Sequence, residues 1–174
     1  MLVVTGESGS GKSTLSALLG ERGWRFMGDE FALLDCDSGA ILPFPRLVSL
    51  KNRAIDVVAD AVGDARMGPL LTATAKGDIS HMVTRADAVA RMDEGGMPAL
   101  LLFPRFGHAA DVRSLGQGEI FMRLTQASTN YVALGEPAFT ALTRFVQQVP
   151  ARAIDFASGE EAFAMVDRLW EELA

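Results

Sequence analysis

The chain of 174 residues is poor in the residue types that mark secreted, metal-binding and nucleic-acid-binding proteins. It has a single cysteine, Cys36, so it cannot form an internal disulfide, and no cysteine pair is present to bind zinc. It carries 16 Lys and Arg against 22 Asp and Glu, a net charge of −6. Since phosphate backbones are bound by an excess of basic residues, this balance argues against a nucleic-acid partner.

Long apolar runs are also missing. The longest, residues 97–103 (MPALLLF), is far shorter than the roughly 20 residues that a membrane-spanning helix needs. The first residues, MLVVT, lead directly into a glycine-rich stretch, without the basic region or cleavage site of a secretory signal. We therefore expect a cytoplasmic protein without a membrane span.

What the chain does contain is typical of ordinary globular proteins. Hydrophobic residues make up 49% and charged residues 22% of the sequence, close to the averages for folded domains. No internal repeat, low-complexity block or proline-rich linker divides it. We expect residues 1–174 to form a single domain with a sizeable core.

The beginning of the chain predicts a strand, a helix and a second strand. Residues 1–5 are a short apolar run ended by Gly6, which predicts a buried strand. Residues 13–22 carry leucines at helical spacing and are followed by Gly23, which predicts a helix. Residues 24–27 predict the second strand. The link between the two strands is long enough for a right-handed parallel crossover.

Later segments alternate between strand and helix patterns. Residues 31–35 and 40–44 flank a turn and predict a β-hairpin, and residues 97–103 predict a strand buried on both faces. The remaining predictions are helices at 50–62, 115–126 and 137–148, a strand at 151–156, and a last helix with a capping box of Ser158 and Glu161. This alternation implies an α/β sandwich.

Residues 6–13 read GESGSGKS and match the phosphate-loop pattern G-x-x-x-x-G-K-[ST]. The glycines allow successive backbone N–H groups to turn toward an anion. Lys12 can reach the β- and γ-phosphates, and the Ser13 hydroxyl is placed to coordinate Mg²⁺. Because the match follows a predicted strand and opens a predicted helix, we expect it to bind a nucleoside triphosphate with magnesium. The residues expected to bind it are Gly6, Glu7, Ser8, Gly9, Ser10, Gly11, Lys12, Ser13 and Thr14.

An acidic pair, Asp29 and Glu30, follows the second predicted strand. If that strand lies about 4.8 Å from the first in a parallel sheet, its end is at the same edge as the phosphate loop. Adjacent carboxylates repel each other, but a divalent metal allows both to stay ionised. One carboxylate would hold Mg²⁺ and the other would accept a hydroxyl proton. In an arbitrary sequence such a pair is more often simply solvated, but the phosphate loop upstream favours a functional role.

These motifs resemble the HPr kinase/phosphorylase family. The resemblance is carried by GESGSGKST, by the 17-residue step from Lys12 to Asp29, and by GDEFALLD. The longer pattern GDEFALLDCDSGAILPFPRLVSLKN, followed by LLLFPRF and NYVALGEPAF, resembles the HPr-kinase-related kinase A branch and spans Gly6 to about Phe139. The resemblance implies a P-loop NTPase-type three-layer α/β sandwich of the HPr kinase/PEP carboxykinase-like kind.

The resemblance also implies an activity. Members of the family bind ATP at the loop, use the acidic pair as catalytic base and metal ligand, and phosphorylate a serine hydroxyl. On the matching positions, Lys12 and Ser13 bind phosphate and metal, Asp29 is the base and Glu30 is the metal partner. The best-known members have Asp-Asp at this pair, so the division of roles stays open. Their second signature and separate N-terminal domain are not found, which leaves reverse phosphorolysis and the extent of the full protein open.

Several further residues are weaker candidates. Arg46 and Arg105 could stabilise charge on the transferring phosphoryl group, although a salt bridge or a solvated side chain is favoured for each. Residues 51–52 (Lys-Asn) open a predicted helix, where an N-cap and a solvated lysine are favoured. His81 and His108 lack metal-ligand spacing, which favours surface or structural roles.

Three functions stay open at this point. The first is an ATP-dependent kinase that transfers the γ-phosphoryl group to a hydroxyl, with serine on a protein or peptide as the expected acceptor. The second is a nucleotide-binding regulatory module without phosphotransfer. The third is a phosphate-loop kinase for a small metabolite. The sequence names neither the acceptor nor the oligomeric state.

Overall fold

The computed structural model describes residues 1–173, which form a mixed α/β structure. Two compact units can be distinguished. The first contains residues 1–11, 34–41 and 95 to the end of the described chain, and the second contains residues 12–33 and 42–94. None of the described helices is long and apolar enough to span a membrane.

The strands and helices follow one another along the chain with short connections. The strands are β1 (Leu2–Val4), β2 (Leu33–Leu34), β3 (Ile41–Leu42), β4 (Val48–Lys51), β5 (Leu71–Thr74), β6 (Gly77–Met82), β7 (Leu100–Phe106), β8 (Asp111–Ser114) and β9 (Ala151–Phe156). The helices are α1 (Lys12–Glu21), α2 (Arg53–Val62), α3 (Ala86–Ala90), α4 (Gln117–Ala127), α5 (Tyr131–Leu134), α6 (Glu136–Gln148) and α7 (Gly159–Glu171), with a 3₁₀ turn at Asp64–Arg66.

A four-stranded sheet in the order β1-β7-β9-β8 forms the centre of the first unit. Its first three strands are parallel, and β8 runs antiparallel to β9. The buried strand predicted at 97–103 begins three residues later and continues through Phe106, because its register is set by its neighbours. Leu2 of β1 lies opposite Leu100, and Phe156 of β9 lies opposite Phe106.

Most of the predicted elements of the first unit are confirmed. Helices α4 and α6 begin and end within two residues of their predictions, and β9 matches its prediction. The capping box also forms: the Ser158 hydroxyl accepts a hydrogen bond from the Glu161 N–H at 3.2 Å, and the Glu161 carboxylate accepts one from the Ala157 N–H at 2.8 Å. Helix α7 buries Val166 and Leu169. The core of this unit is built from Val3, Ile41, Leu101, Phe103, Ile120, Phe145, Val146, Val149, Ala151 and Ala153.

The second unit has a three-stranded antiparallel sheet in the order β4-β6-β5. The helix predicted from residue 50 was wrong in its first turn, because Leu50 and Lys51 pair with β6 as part of β4. Asn52 separates strand from helix with a φ of 50°. It occupies the N-cap position of α2, but its side chain accepts a hydrogen bond from the Asp78 N–H at 3.1 Å instead of capping the helix. The core of this unit is built from Ala17, Phe26, Val48, Leu50, Val58, Met82 and Ala88.

The strand predicted at residues 24–27 does not form. Helix α1 ends at Glu21, one residue before its predicted end. Gly23 follows with a φ of 93°, and the Trp24 N–H donates to the Leu19 carbonyl at 3.2 Å. The chain then runs irregularly, makes an isolated bridge between Gly28 and Phe44 and buries Phe26. The strand that lies parallel to β1 is β7. The expectation that Asp29 follows a strand next to β1 is therefore wrong.

The hairpin predicted at 31–35 and 40–44 is confirmed in a shorter form. Its strands, β2 and β3, form a two-stranded sheet. The Asp35 N–H donates to the Ala40 carbonyl at 2.9 Å, and the Asp35 carboxylate accepts hydrogen bonds from the N–H and hydroxyl of Ser38 at 2.6 and 2.7 Å. The turn residues between the strands therefore have the hydrogen bonds that their composition indicates.

Asp155 is a buried carboxylate in the first unit, with a side chain only 6% exposed. Arg105 binds it with two nitrogens, at 3.1 and 2.5 Å, and Arg113 approaches it at 3.3 Å. The hydrogen bonds from Arg105, more than its charge, lower the pKa of Asp155. A carboxylate of this kind stabilises the fold above the ordinary aspartate pKa of about 3.9, and this contribution is lost as the pH falls through the lowered value.

We predict that Asp155→Asn lowers the free energy of unfolding at pH 7 by about 1–2 kcal/mol, because the arginines lose a charged acceptor. The difference from wild type should shrink as the pH is lowered through 4 and below, since both side chains are then neutral. Urea unfolding at several pH values measures this, with the exposed Asp93→Asn as control. A loss of stability that does not change with pH would contradict the assignment.

Candidate functional site

The glycine-rich loop follows β1 in the first unit and has the backbone that its sequence predicts. Gly6, Gly9 and Gly11 have φ values of 145°, 86° and 94°, which side chains rarely allow. At Gly11 space is limiting as well, because a Cβ there would lie 3.3 Å from the Cβ of Phe106 and 3.4 Å from the ring of Phe156. The loop is also tied to the sheet, since the Phe106 N–H donates to the Ser10 carbonyl at 3.2 Å.

Helix α1 begins at Lys12, directly after this loop in the chain. The N–H groups of a first helical turn have no partners within the helix and carry partial positive charge. The first turn of α1, which includes Ser13 and Thr14, contains no acidic residue that would compete with an incoming anion. The glycine-rich loop and the first turn of α1 each have a feature that is typical of phosphate sites.

The Asp29 side chain is hydrogen-bonded to the start of α1, although Asp29 does not follow a strand of the first sheet. Its half-buried carboxylate accepts a hydrogen bond from the Ser13 hydroxyl and another from the backbone N–H of Ser49. Ser49 lies in β4, an edge strand whose outward N–H is not used by the sheet. Asp29 thus links the helix that follows the phosphate loop to the edge of the second sheet.

Burial is the main cause of the raised pKa of Asp29. The hydrogen bonds from Ser13 and Ser49 oppose this effect, the charge of Glu30 adds to it, and the ammonium group of Lys12 opposes it. The carboxylate is therefore desolvated but still paired with donors. A carboxylate of this kind is better suited to accept a proton than a solvated one.

The ammonium group of Lys12 shares the charge environment of Asp29. Burial lowers the pKa of Lys12, the charge of Asp29 raises it, and the charge of Lys51 lowers it. Lys51 follows Ser49 by two residues in β4, so the two side chains lie on the same face of the strand. Two cations therefore accompany one buried carboxylate, and an anion between them would relieve their repulsion.

Glu30, the neighbour of Asp29, is more exposed to solvent. Its carboxylate pairs with Arg46 at 3.5 Å, and both side chains are more than half exposed. The guanidinium group of Arg46 also lies 5.6 Å from the centre of the Phe44 ring. Exposed pairs of this length are weak, so Glu30 can exchange Arg46 for another cation at little cost.

A cleft of about 190 Å³ opens beside Glu30 and is lined by Glu30, Arg46, Leu47, Ser49 and His81. His81 lines this cleft, whereas the sequence alone favoured a surface or structural role for it. The alternation in β6, where Ser80 and Met82 are buried and Ile79 and His81 are half-buried, is a strand signal that could have located it.

The other candidate residues, Arg105 and His108, lie near Asp155. Arg105 forms a salt bridge with Asp155, one of the two roles that its sequence context favoured. His108 contributes to the charge environment of the same aspartate. Lys76 lies in the short turn between β5 and β6.

The oxygen ligands near Ser13 suit Mg²⁺ better than metals whose ligands all come from the protein. Within residues 1–173, no group of three or more His, Cys, Asp and Glu side chains forms a metal cluster. Mg²⁺ is typically held by one or two carboxylates together with water and phosphate oxygens. The Ser13 hydroxyl and the carboxylates of Asp29 and Glu30 are ligands of that kind.

No family model, curated protein or solved structure matches the chain. The likeness to HPr kinases therefore consists of the motifs described above. The site geometry is independent of that likeness, because it follows from the contacts of Lys12, Ser13 and Asp29.

We predict that Asp29→Asn raises the melting temperature at pH 7, by roughly 1–3 °C. Asparagine can still accept the hydrogen bonds of Ser13 and Ser49, but it removes a desolvated charge. A carboxyl group with a raised pKa stabilises the fold most below about pH 3.9, and this stability is lost as the pH rises through the raised value.

The gain should therefore vanish in acid, where both side chains are neutral. Thermal unfolding of the free protein between pH 3 and 8 measures it, with Glu30→Gln as the matched control at the exposed neighbour. An Asp29→Asn protein that melts below wild type at pH 7 would contradict the account of its burial.

Proposed function

We propose that the chain is an ATP-dependent phosphotransferase of the HPr-kinase type, which moves the γ-phosphoryl group to a hydroxyl. The observation that supports this most is the hydrogen bond between the Ser13 hydroxyl and the Asp29 carboxylate beside Lys12. Residues 6–14 would bind the triphosphate through backbone N–H groups, and Lys12 would neutralise the transferring group. The parallel strands β1, β7 and β9, with the loop at the end of β1, support the three-layer P-loop sandwich of that family.

Asp29 would act as the base in this proposal, and Ser13 with Glu30 would hold Mg²⁺. The metal supplies charge stabilisation for the phosphate oxygens. The raised pKa of Asp29, caused by burial, supports its role as the proton acceptor. The hydroxyl of the acceptor must then come within about 2.6–3.2 Å of its carboxylate.

The reverse division of the two carboxylates has an observation in its favour. Asp29, not Glu30, bonds to the hydroxyl of Ser13, and Glu30 lines the cleft. In that arrangement Asp29 would lie at the metal and Glu30 would accept the proton. The two assignments differ in which variant changes the need for magnesium.

A peptide acceptor is favoured over a small metabolite by the shape and rim of the cleft. Its volume, about 190 Å³, is below the roughly 300 Å³ at which sites begin to enclose whole small molecules. Around the acidic pair, Phe31, Phe44 and Leu47 are exposed by 44%, 40% and 53%. Exposed apolar side chains grouped around a site are typical of a surface that contacts a larger partner.

We predict that Lys12→Ala lowers ATP turnover at least 100-fold, because the transferring phosphoryl group loses its neutralising charge. Asp29→Asn should keep nucleotide binding within about threefold and lose transfer. Isothermal titration with Mg-ATP and transfer of labelled phosphate to serine peptides measure the two effects, with Lys76→Ala as the control lysine in a surface turn.

Transfer rates measured at increasing Mg²⁺ concentrations then show which of Asp29 and Glu30 is the base and which is the metal ligand. Loss of a base lowers the maximal rate at every Mg²⁺ concentration, whereas loss of a ligand raises the Mg²⁺ concentration needed and is rescued by excess metal. Normal transfer by Asp29→Asn would remove Asp29 from the chemistry. The absence of any nucleotide binding by wild type would overturn the proposed function.

A further inference from the structure

His81 is held one strand away from the carboxylate of Asp29. It lies opposite Ser49 in the antiparallel pairing of β4 and β6. The Asn52 N–H donates to the Asp78 carbonyl across these strands, and because pairs alternate along an antiparallel ladder, Ser49 and His81 form a non-hydrogen-bonded pair. In such a pair the Cα atoms are about 4.5 Å apart and the side chains are close. The N–H of the same Ser49 binds Asp29.

The register also fixes the side of the sheet to which the imidazole belongs. Its neighbours in β6, Ser80 and Met82, are each 2% exposed and face the core. His81 alternates with them and lines the cleft together with Glu30 and Arg46. The imidazole therefore borders a cleft that also contains Ser49 and Glu30, the contact and the chain neighbour of Asp29.

We propose that His81 binds the acceptor in this cleft and orients its hydroxyl oxygen toward the γ-phosphoryl group. Imidazole carries a hydrogen-bond donor and an acceptor in one rigid ring, which suits it to hold a hydroxyl-bearing segment in one direction. This inference rests on the proposed function and adds to it the residue that positions the acceptor.

The transfer that His81 would assist needs no reactant besides ATP and the acceptor. The acceptor oxygen forms a bond to the γ-phosphorus, and the bond from that phosphorus to the β,γ-bridging oxygen breaks. ADP leaves with the electron pair, and the hydroxyl proton passes to the carboxylate that acts as base. His81 gains and loses no proton in this sequence; it holds the acceptor in place.

The kinetic test uses labelled Mg-ATP with a degenerate library of serine and threonine peptides, and in parallel with serine, glycerol and ribose as free hydroxyl compounds. For whichever acceptor wild type labels, His81→Ala should raise the KM for that acceptor at least tenfold. His81→Gln, which keeps a donor and an acceptor, should recover part of the loss. His108→Ala, the matched control at the other histidine, should transfer like wild type.

A second readout does not depend on turnover. The chain has two histidines, so its imidazole NMR signals can be assigned with one variant. With a non-hydrolysable ATP analogue and Mg²⁺ bound, we add the acceptor that wild type phosphorylates in the kinetic test. This acceptor should shift the ring signal of His81 and leave that of His108 unchanged.

The possible results separate this inference from the function on which it rests. Transfer by wild type together with an unchanged KM in His81→Ala, or an unmoved His81 signal, overturns the role of His81 and leaves the kinase intact. Failure of wild type to label any of these acceptors overturns both. A loss in His81→Ala that His81→Gln does not relieve, with no NMR shift, marks His81 as structural and also overturns the inference.

Discussion

The candidate site depends on the two hydrogen bonds that the Asp29 carboxylate accepts. One partner is the Ser13 hydroxyl at the start of α1, and the other is the Ser49 N–H at the edge of β4. Without these donors a half-buried carboxylate would be costly. With them, a carboxylate, an ammonium group and a hydroxyl of the phosphate-loop motif share one environment, which is the combination that phosphoryl transfer requires.

Local chemistry explains why parts of the fold could be predicted from the sequence. The phosphate-loop glycines, the Gly23 helix end and the Ser158 capping box are determined by residues within a few positions of one another. The strand at 97–103 was located by its apolar run, but its ends are set by β1 and β9, which lie far away in sequence. Pairing across such distances leaves no local signal.

The position of the acidic pair was expected for a reason that the structure does not bear out. The acidic pair was expected at the end of a strand beside β1, but residues 24–27 form no strand and β7 takes that place. Lys51 was assigned to a helix, and its strand pairing with β6 could not be read from a helical pattern that begins one residue earlier. The position of His81 opposite Ser49 could not be predicted either, because it depends on the register of that same pairing.

The central claim is that the phosphate loop and Asp29 serve one ligand. A crystal structure with Mg²⁺ and a non-hydrolysable ATP analogue tests it most directly. We expect phosphates along residues 6–14 and the Ser13 hydroxyl oxygen about 2.0–2.1 Å from the metal. The Asp29 carboxylate should contact a ligand of the metal or face the γ-phosphoryl group. A nucleotide bound elsewhere, or an Asp29 side chain that faces away from it, would contradict the account.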